Sequence, residues 1–194
     1  MLLAGALALA AGGAQAGTIE LIFTSTTGDG VAGSGTIEAL PGDMLTLEYI
    51  LNVGAADSPV YLYQMSVQWT GASLVSEPVN NIPADWFQIP LDPLPSGPNI
   101  WSSGLGGSDL FGNPITPGSS HVLGASTVEV AATGTISLVL IAANSDDILT
   151  ELGGGSVADE YTFLPGTILV PEPGTAMLLA IGLVGICLRR CRAP

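Results

Sequence analysis

The sequence predicts an all-β protein: one antiparallel β-sandwich over residues 17–169, flanked by an N-terminal signal peptide and a C-terminal single transmembrane helix. Three observations carry this. Two long segments alternate apolar and polar residues with a period of two, the pattern of half-buried strands. Clusters of Gly, Pro and Asp separate these from further short runs of the same kind. The remaining apolar sequence is gathered at the two ends, and all three arginines fall in the last six residues.

Residues 1–16 open with an apolar run from Leu2 to Ala11, too short to span a bilayer. Ala14-Gln15-Ala16 gives the small-x-small pattern before Gly17, so the expected cleavage point follows Ala16. No Lys or Arg precedes the run, which leaves the α-amino group as its only positive charge.

The body begins with strands expected at Thr18–Thr24 and Gly35–Leu40. Then "MLTLEYILNV" puts Leu45, Leu47, Tyr49, Leu51 and Val53 on one face, with Thr46, Glu48 and Asn52 opposite. "VYLYQMSVQW" repeats the pattern with Tyr61, Tyr63, Met65, Val67 and Trp69 against Gln64, Ser66 and Gln68. Further strands are expected at Leu74–Ser76, Val122–Val130, Thr135–Ala142 and Tyr161–Leu169. Turns are read at Pro41-Gly42-Asp43, from Gly54 to Pro59, and at Gly153-Gly154-Gly155.

From Pro78 to Ser120 the alternation breaks, and a long irregular loop is expected over residues 78–120. It holds Trp86, Phe87, Trp101 and Phe111 among Pro, Gly and Asn. Trp86 and Trp101 are the candidate ligand-binding aromatics; such side chains either stack on sugar rings or cap the open end of the sandwich.

Residues 170–194 have three parts. Pro171-Glu172-Pro173 is extended and ends the preceding strand. Thr175 to Leu188 is uncharged and, as a helix, about 21 Å long. Arg189, Arg190 and Arg192 follow and form a cytoplasmic anchor under the positive-inside rule. Cys187 and Cys191 both lie in this tail, so no disulfide staples the body.

Between Gly17 and Val170 stand 16 Asp or Glu residues and no Lys or Arg. Nucleic acid is excluded as a partner, because binding it rests on basic side chains. Enzyme chemistry finds no motif. The one histidine, His121, has Ser119 and Ser120 beside it but no G-x-S-x-G elbow anywhere in the chain. Zinc lacks ligands, and no cofactor is expected; calcium is the one metal the acids allow, with Asp146-Asp147 and Asp159-Glu160 as the densest spots.

The C-terminal residues from Val170 through Pro171-Glu172-Pro173-Gly174-Thr175 and the apolar run to Arg189-Arg190-Cys191-Arg192 resemble the PEP-CTERM sorting signal of exopolysaccharide-producing Gram-negative bacteria. The resemblance implies export, transient anchoring in the bacterial inner membrane, and recognition of Pro171, Glu172 and Pro173 by an exosortase. "GTIEALPGDMLTLEYILNVG", "VYLYQMSVQWTGASLV" and "ATGTISLVLIAANSDDIL" resemble cohesin-like domains and their carbohydrate-binding relatives, which implies a cohesin-like jelly roll. Where that family has Tyr-Asp after the second long strand, this chain has Trp69-Thr70. The expected function is a non-enzymatic structural protein of the cell surface or the extracellular, biofilm-associated matrix. The alternative is an adhesion module that binds exopolysaccharide or a protein.

Overall fold

The computed structural model describes residues 16–26, 33–88, 99–141 and 148–171. They form twelve strands: β1 (Gly17–Thr26), β2 (Thr36–Glu38), β3 (Met44–Asn52), β4 (Leu62–Trp69), β5 (Ala72–Leu74), β6 (Val79–Asn80), β7 (Ile100–Ser108), β8 (Ser120–Val130), β9 (Gly134–Val139), β10 (Ile148–Thr150), β11 (Tyr161–Leu164) and β12 (Gly166–Leu169). A single 3-10 turn, Ala158–Glu160, precedes β11, and no α-helix occurs among the described residues.

The strands build two sheets that face each other. The first has the order β11-β1-β3-β8, with β5 and β6 sharing the far side of β8. The second has the order β10-β4-β9-β12-β2, with β7 along the other side of β4. Alternation becomes burial most cleanly in β3, where Leu45, Leu47, Tyr49 and Leu51 are buried and each intervening residue is partly exposed. From the facing sheet Tyr63, Met65, Val67, Ile136, Leu138 and Ile168 complete the core. The Tyr49 hydroxyl, fully inside, donates to Ser126 Oγ at 3.1 Å and so keeps a partner.

Four expectations are corrected. The sandwich is not wholly antiparallel: β11 runs parallel to β1, and β12 parallel to β2. The single strand expected over Tyr161–Leu169 is two strands in opposite sheets, because Pro165 has no N–H for a ladder and the chain crosses between sheets there. Gly166 makes the crossing possible; a Cβ at that point would run into the Leu21 and Phe23 side chains. Gln64 and Ser66, expected to face solvent, are buried, since the central strand β4 is covered on both faces.

The fourth correction concerns residues 78–120, where β7 occupies nine residues of the expected loop. Its sequence, "IWSSGLGGS", has too few apolar side chains to show a period of two. The glycines answer a packing need instead. Gly107 lies opposite Tyr63, and a Cβ on it would come within 2.8 Å of Ile82 and 3.2 Å of the Trp86 ring.

The two ends of the sandwich differ. At one end Gly42 N donates to Val130 O (2.8 Å), Ala131 N and Ala132 N both donate to Gly71 O (2.9 and 2.7 Å), and Ala39 N donates to Leu169 O (3.0 Å). At the other end the start of β1 meets the turn that contains Asp57 and the 3-10 turn that contains Glu160.

Burial raises the phenols of Tyr49 and Tyr63 above the ordinary value of about 10, and burial followed by the charges of Asp57 and Glu160 does the same for Tyr161. The unfolded chain therefore loses these protons first. The contribution of these phenols to stability is intact below pH ~10 and is lost as pH rises above it, by up to about 2.7 kcal/mol per pH unit for Tyr49 and Tyr63 together. Alkaline titration followed at 295 nm and by circular dichroism is expected to show these phenolates appearing only as the fold is lost.

Candidate functional site

The chain leaves the body at the end of β12. Leu169 lies opposite Glu38 of β2, and its carbonyl accepts from Ala39 N at 3.0 Å. Val170 N donates to Thr133 Oγ1 at 3.0 Å. Pro171 is exposed and has no N–H to extend the ladder. The folded body thus reaches the first residue of the Pro171-Glu172-Pro173 triplet with no spacer between them. Glu172, Pro173, Arg189, Arg190 and Arg192 lie outside the described residues, as does the apolar run 175–188. Among the described residues no helix is long and apolar enough to cross a membrane.

The described residues begin at Ala16. Ala14 lies outside the described residues, Ala16 is exposed, and Gly17 is buried as the first residue of β1. A Cβ on Gly17 would meet the Asp57 carboxylate and come within 2.5 Å of the Tyr161 ring. Asp57 accepts from Gly54 N at 2.8 Å, while Glu160 accepts from Ser58 N at 2.6 Å and Ser58 Oγ at 3.0 Å. Beside this corner an open cleft of about 450 Å³ is lined by Ala16, Thr18, Glu20, Asn52 and Leu164. Asn52 Nδ2 donates to Thr18 Oγ1 at 3.1 Å and to Glu20 Oε1 at 2.6 Å.

The two candidate tryptophans are not a matched sugar-stacking pair. Trp86 is 6% exposed; its ring centroid lies 5.7 Å from that of Tyr63, and Nε1 donates to Asn113 O at 2.8 Å. As a ligand-binding aromatic Trp86 is corrected: the ring fills the hollow left by Gly107 and offers no free face. Trp101 lies opposite Val67 in the ladder and packs, partly buried, against the core. Its buried Nε1 has no hydrogen-bond partner among the described residues.

The exposed aromatics are ones the sequence reading passed over. Phe87 is 48% and Phe111 69% exposed, with ring centroids 5.4 Å apart, and Leu110 beside them is 68% exposed. Two features present them. Phe87 and Ser108 exchange backbone hydrogen bonds of 2.9 Å, and buried Asp109 turns the chain by accepting from Phe111 N (2.8 Å) and Gly112 N (3.0 Å). The signal was available in "SDLFGN", an Asx turn closed by a glycine at φ +85°.

His121 Nε2 donates to Asn81 O at 2.9 Å, and Ser119 Oγ donates to Thr116 O. Neither serine is brought to the imidazole by a hydrogen bond among the described residues. No group of three or more His, Cys, Asp or Glu among the described residues is placed to hold a metal ion. Asp146 and Asp147 lie outside them, while Glu160 is engaged with Ser58.

The fold and its exit define a two-sheet β-sandwich carrying an appended C-terminal tail. That tail matches the family model of the PEP-CTERM protein-sorting motif over residues 169–192. The body is similar to the solution structure of CaCohA2 from Clostridium acetobutylicum, with 13% identity and a TM-score of 0.49 over 83% of this chain and 94% of that one. It is also similar to a type I cohesin–dockerin complex from Clostridium thermocellum (12% identity, TM-score 0.46, 79% of this chain and 99% of that one). A third similar structure is the third cohesin ScaC from Acetivibrio cellulolyticus in complex with the ScaB dockerin (12% identity, TM-score 0.45, 70% of this chain and 93% of that one). None of the curated proteins matches the chain. The sandwich itself stands on its strand order and register.

The burial contrast within residues 78–120 is testable. Trp86→Ala empties a core site and is expected to cost about 3–5 kcal/mol of unfolding free energy. Phe111→Ala removes an exposed ring and is expected to stay within about 0.5 kcal/mol of wild type. Equilibrium urea denaturation of both variants measures the difference.

Proposed function

We propose that this is a non-enzymatic β-sandwich exported across the inner membrane of a Gram-negative bacterium. It is held there by the segment 175–188 and processed by an exosortase at Pro171-Glu172-Pro173 for delivery to the cell surface or extracellular matrix. The observation that carries the reading is the match of residues 169–192 to the sorting motif, whose first residues, Leu169 and Val170, are hydrogen-bonded into the body. In this reading the chain is a substrate: Glu172 is recognised, and the arginines hold the tail on the cytoplasmic side.

The N-terminal geometry supports cleavage after Ala16. Among the described residues the first strand begins at Gly17, and cleavage would leave its ammonium close to the Asp57 carboxylate in a body without Lys or Arg. Mass spectrometry of the protein from fractionated cells tests both ends. The expected mature chain begins at Gly17 and ends at or near the Pro171–Pro173 triplet, and Glu172→Ala accumulates the anchored precursor. Recovery from the cytosol of a chain with residues 1 and 194 intact, in cells that possess the processing enzyme, overturns the reading.

A second reading, an adhesion module for exopolysaccharide or a protein, is favoured by the exposed Phe87, Leu110 and Phe111. The net charge of −14 restricts such a polymer to a neutral or cationic one. Co-sedimentation with purified exopolysaccharide is expected to fall severalfold in Phe87→Ala/Phe111→Ala while Trp101→Ala is retained as wild type. Equal retention of wild type and the double variant counts against this reading.

A further inference from the structure

β1 begins at a place built for a residue without a side chain. Gly17 is buried, and a Cβ on it would run into Asp57 Oδ2 and the Tyr161 ring. The Gly17 nitrogen is two bonds from that point, so it stands within about 5 Å of the Asp57 carboxylate. Asp57 sits in the turn between β3 and β4, where its Oδ2 accepts from Gly54 N at 2.8 Å. Residues 17–170 contain no Lys or Arg to answer its charge. The other charged or titratable groups on the described elements around it are Asp159 and Glu160 on the 3-10 turn, Tyr161 on β11 and Glu20 on β1. Glu160 is occupied by Ser58, and Glu20 by Asn52. Tyr161 registers the negative potential: burial first, then Asp57 and Glu160, raise its phenol above the ordinary value.

Cutting the chain after Ala16 puts a positive charge at this corner. The neutral amide of Gly17 becomes an ammonium with several N–H donors. Rotation about the Gly17 Cα–C bond is released at the same time. With no side chain in the way, it can carry the nitrogen to hydrogen-bonding distance of the Asp57 carboxylate. A partly buried pair is screened less by salt than an exposed one. The sequence contains no Lys, so a chain that starts at Gly17 has this one primary amine and no other.

We propose that the α-ammonium of Gly17, created by cleavage after Ala16, forms an ion pair with the Asp57 carboxylate and locks the start of β1 to the turn between β3 and β4. The proposal rests on the signal-peptide reading given above. Before cleavage the same nitrogen is an uncharged amide, so removal of the leader itself completes the fold. The added stability is present at neutral pH. It is lost as pH rises past the ordinary amine value of about 8 and through the higher value of the paired amine.

The test uses the detergent-solubilised chain 17–194, encoded with an initiator Met that is removed ahead of Gly17, and its Asp57→Asn variant, whose side-chain oxygen can still accept from Gly54 N. With a single primary amine present, the pH dependence of acylation, read by mass spectrometry of the amino-terminal fragment, reports Gly17 alone. The wild-type amine is expected to titrate about one pH unit above that of Asp57→Asn. Acetylation puts a neutral group where Ala16 stands in the precursor. It is expected to lower the wild-type melting temperature at neutral pH by about 2–4 °C and to leave that of Asp57→Asn within about 1 °C. Equal titration of the two chains, or equal loss on acetylation, overturns the ion pair. Amino-terminal sequencing of the protein recovered from cells separates this from failure of the cleavage reading. A first residue other than Gly17 overturns both, while Gly17 first with equal titration overturns the ion pair alone.

Discussion

Sixteen carboxylates share a body without lysine or arginine, and where they are held at turns the donors are neutral. Asp43 takes Leu40 N, Asp57 takes Gly54 N, Asp109 takes Phe111 N and Gly112 N, Glu160 takes Ser58, and Glu20 takes the Asn52 amide. Hydrogen bonds to an ionised acceptor contribute more than neutral ones, so acids placed at turns supply local order that ion pairs supply elsewhere. The acids fix loops, and cohesion is left to the core. Without a disulfide in the body, cohesion rests on the packing of Leu, Tyr, Val and Ile between two sheets.

The two ends of the sandwich are closed differently. Asp57 and Glu160 hold the turns where β1 begins. At the other end backbone pairs tie Gly42 to Val130 and Ala131 and Ala132 to Gly71, and the Asp43 carboxylate closes the first loop on Leu40 N. The sorting motif begins at that end.

How far the sequence was legible follows from what each strand needed. β3 was fully readable because one of its faces meets the core and the other meets water. β7 was invisible because Gly104, Gly106 and Gly107 interrupt its few apolar residues, and Gly107 leaves the space that Trp86 fills. The break at Pro165 was misread as a continuous strand, since apolar character persists across it although the chain changes sheets. Trp86 and Phe87, neighbours in sequence, exchange the roles that residue type alone suggested: the tryptophan is interior and the phenylalanine is presented. The C-terminal triplet was legible because its meaning is local and needs no tertiary partner.

The parallel pairings have a kinetic consequence. β1 is bordered by β11 and β2 by β12, so strands near the start of the body wait for partners from its far end. Long loops close slowly, and contacts of high sequence separation delay the final collapse. The two sheets are therefore completed only when the residues that lead into the sorting motif are in place.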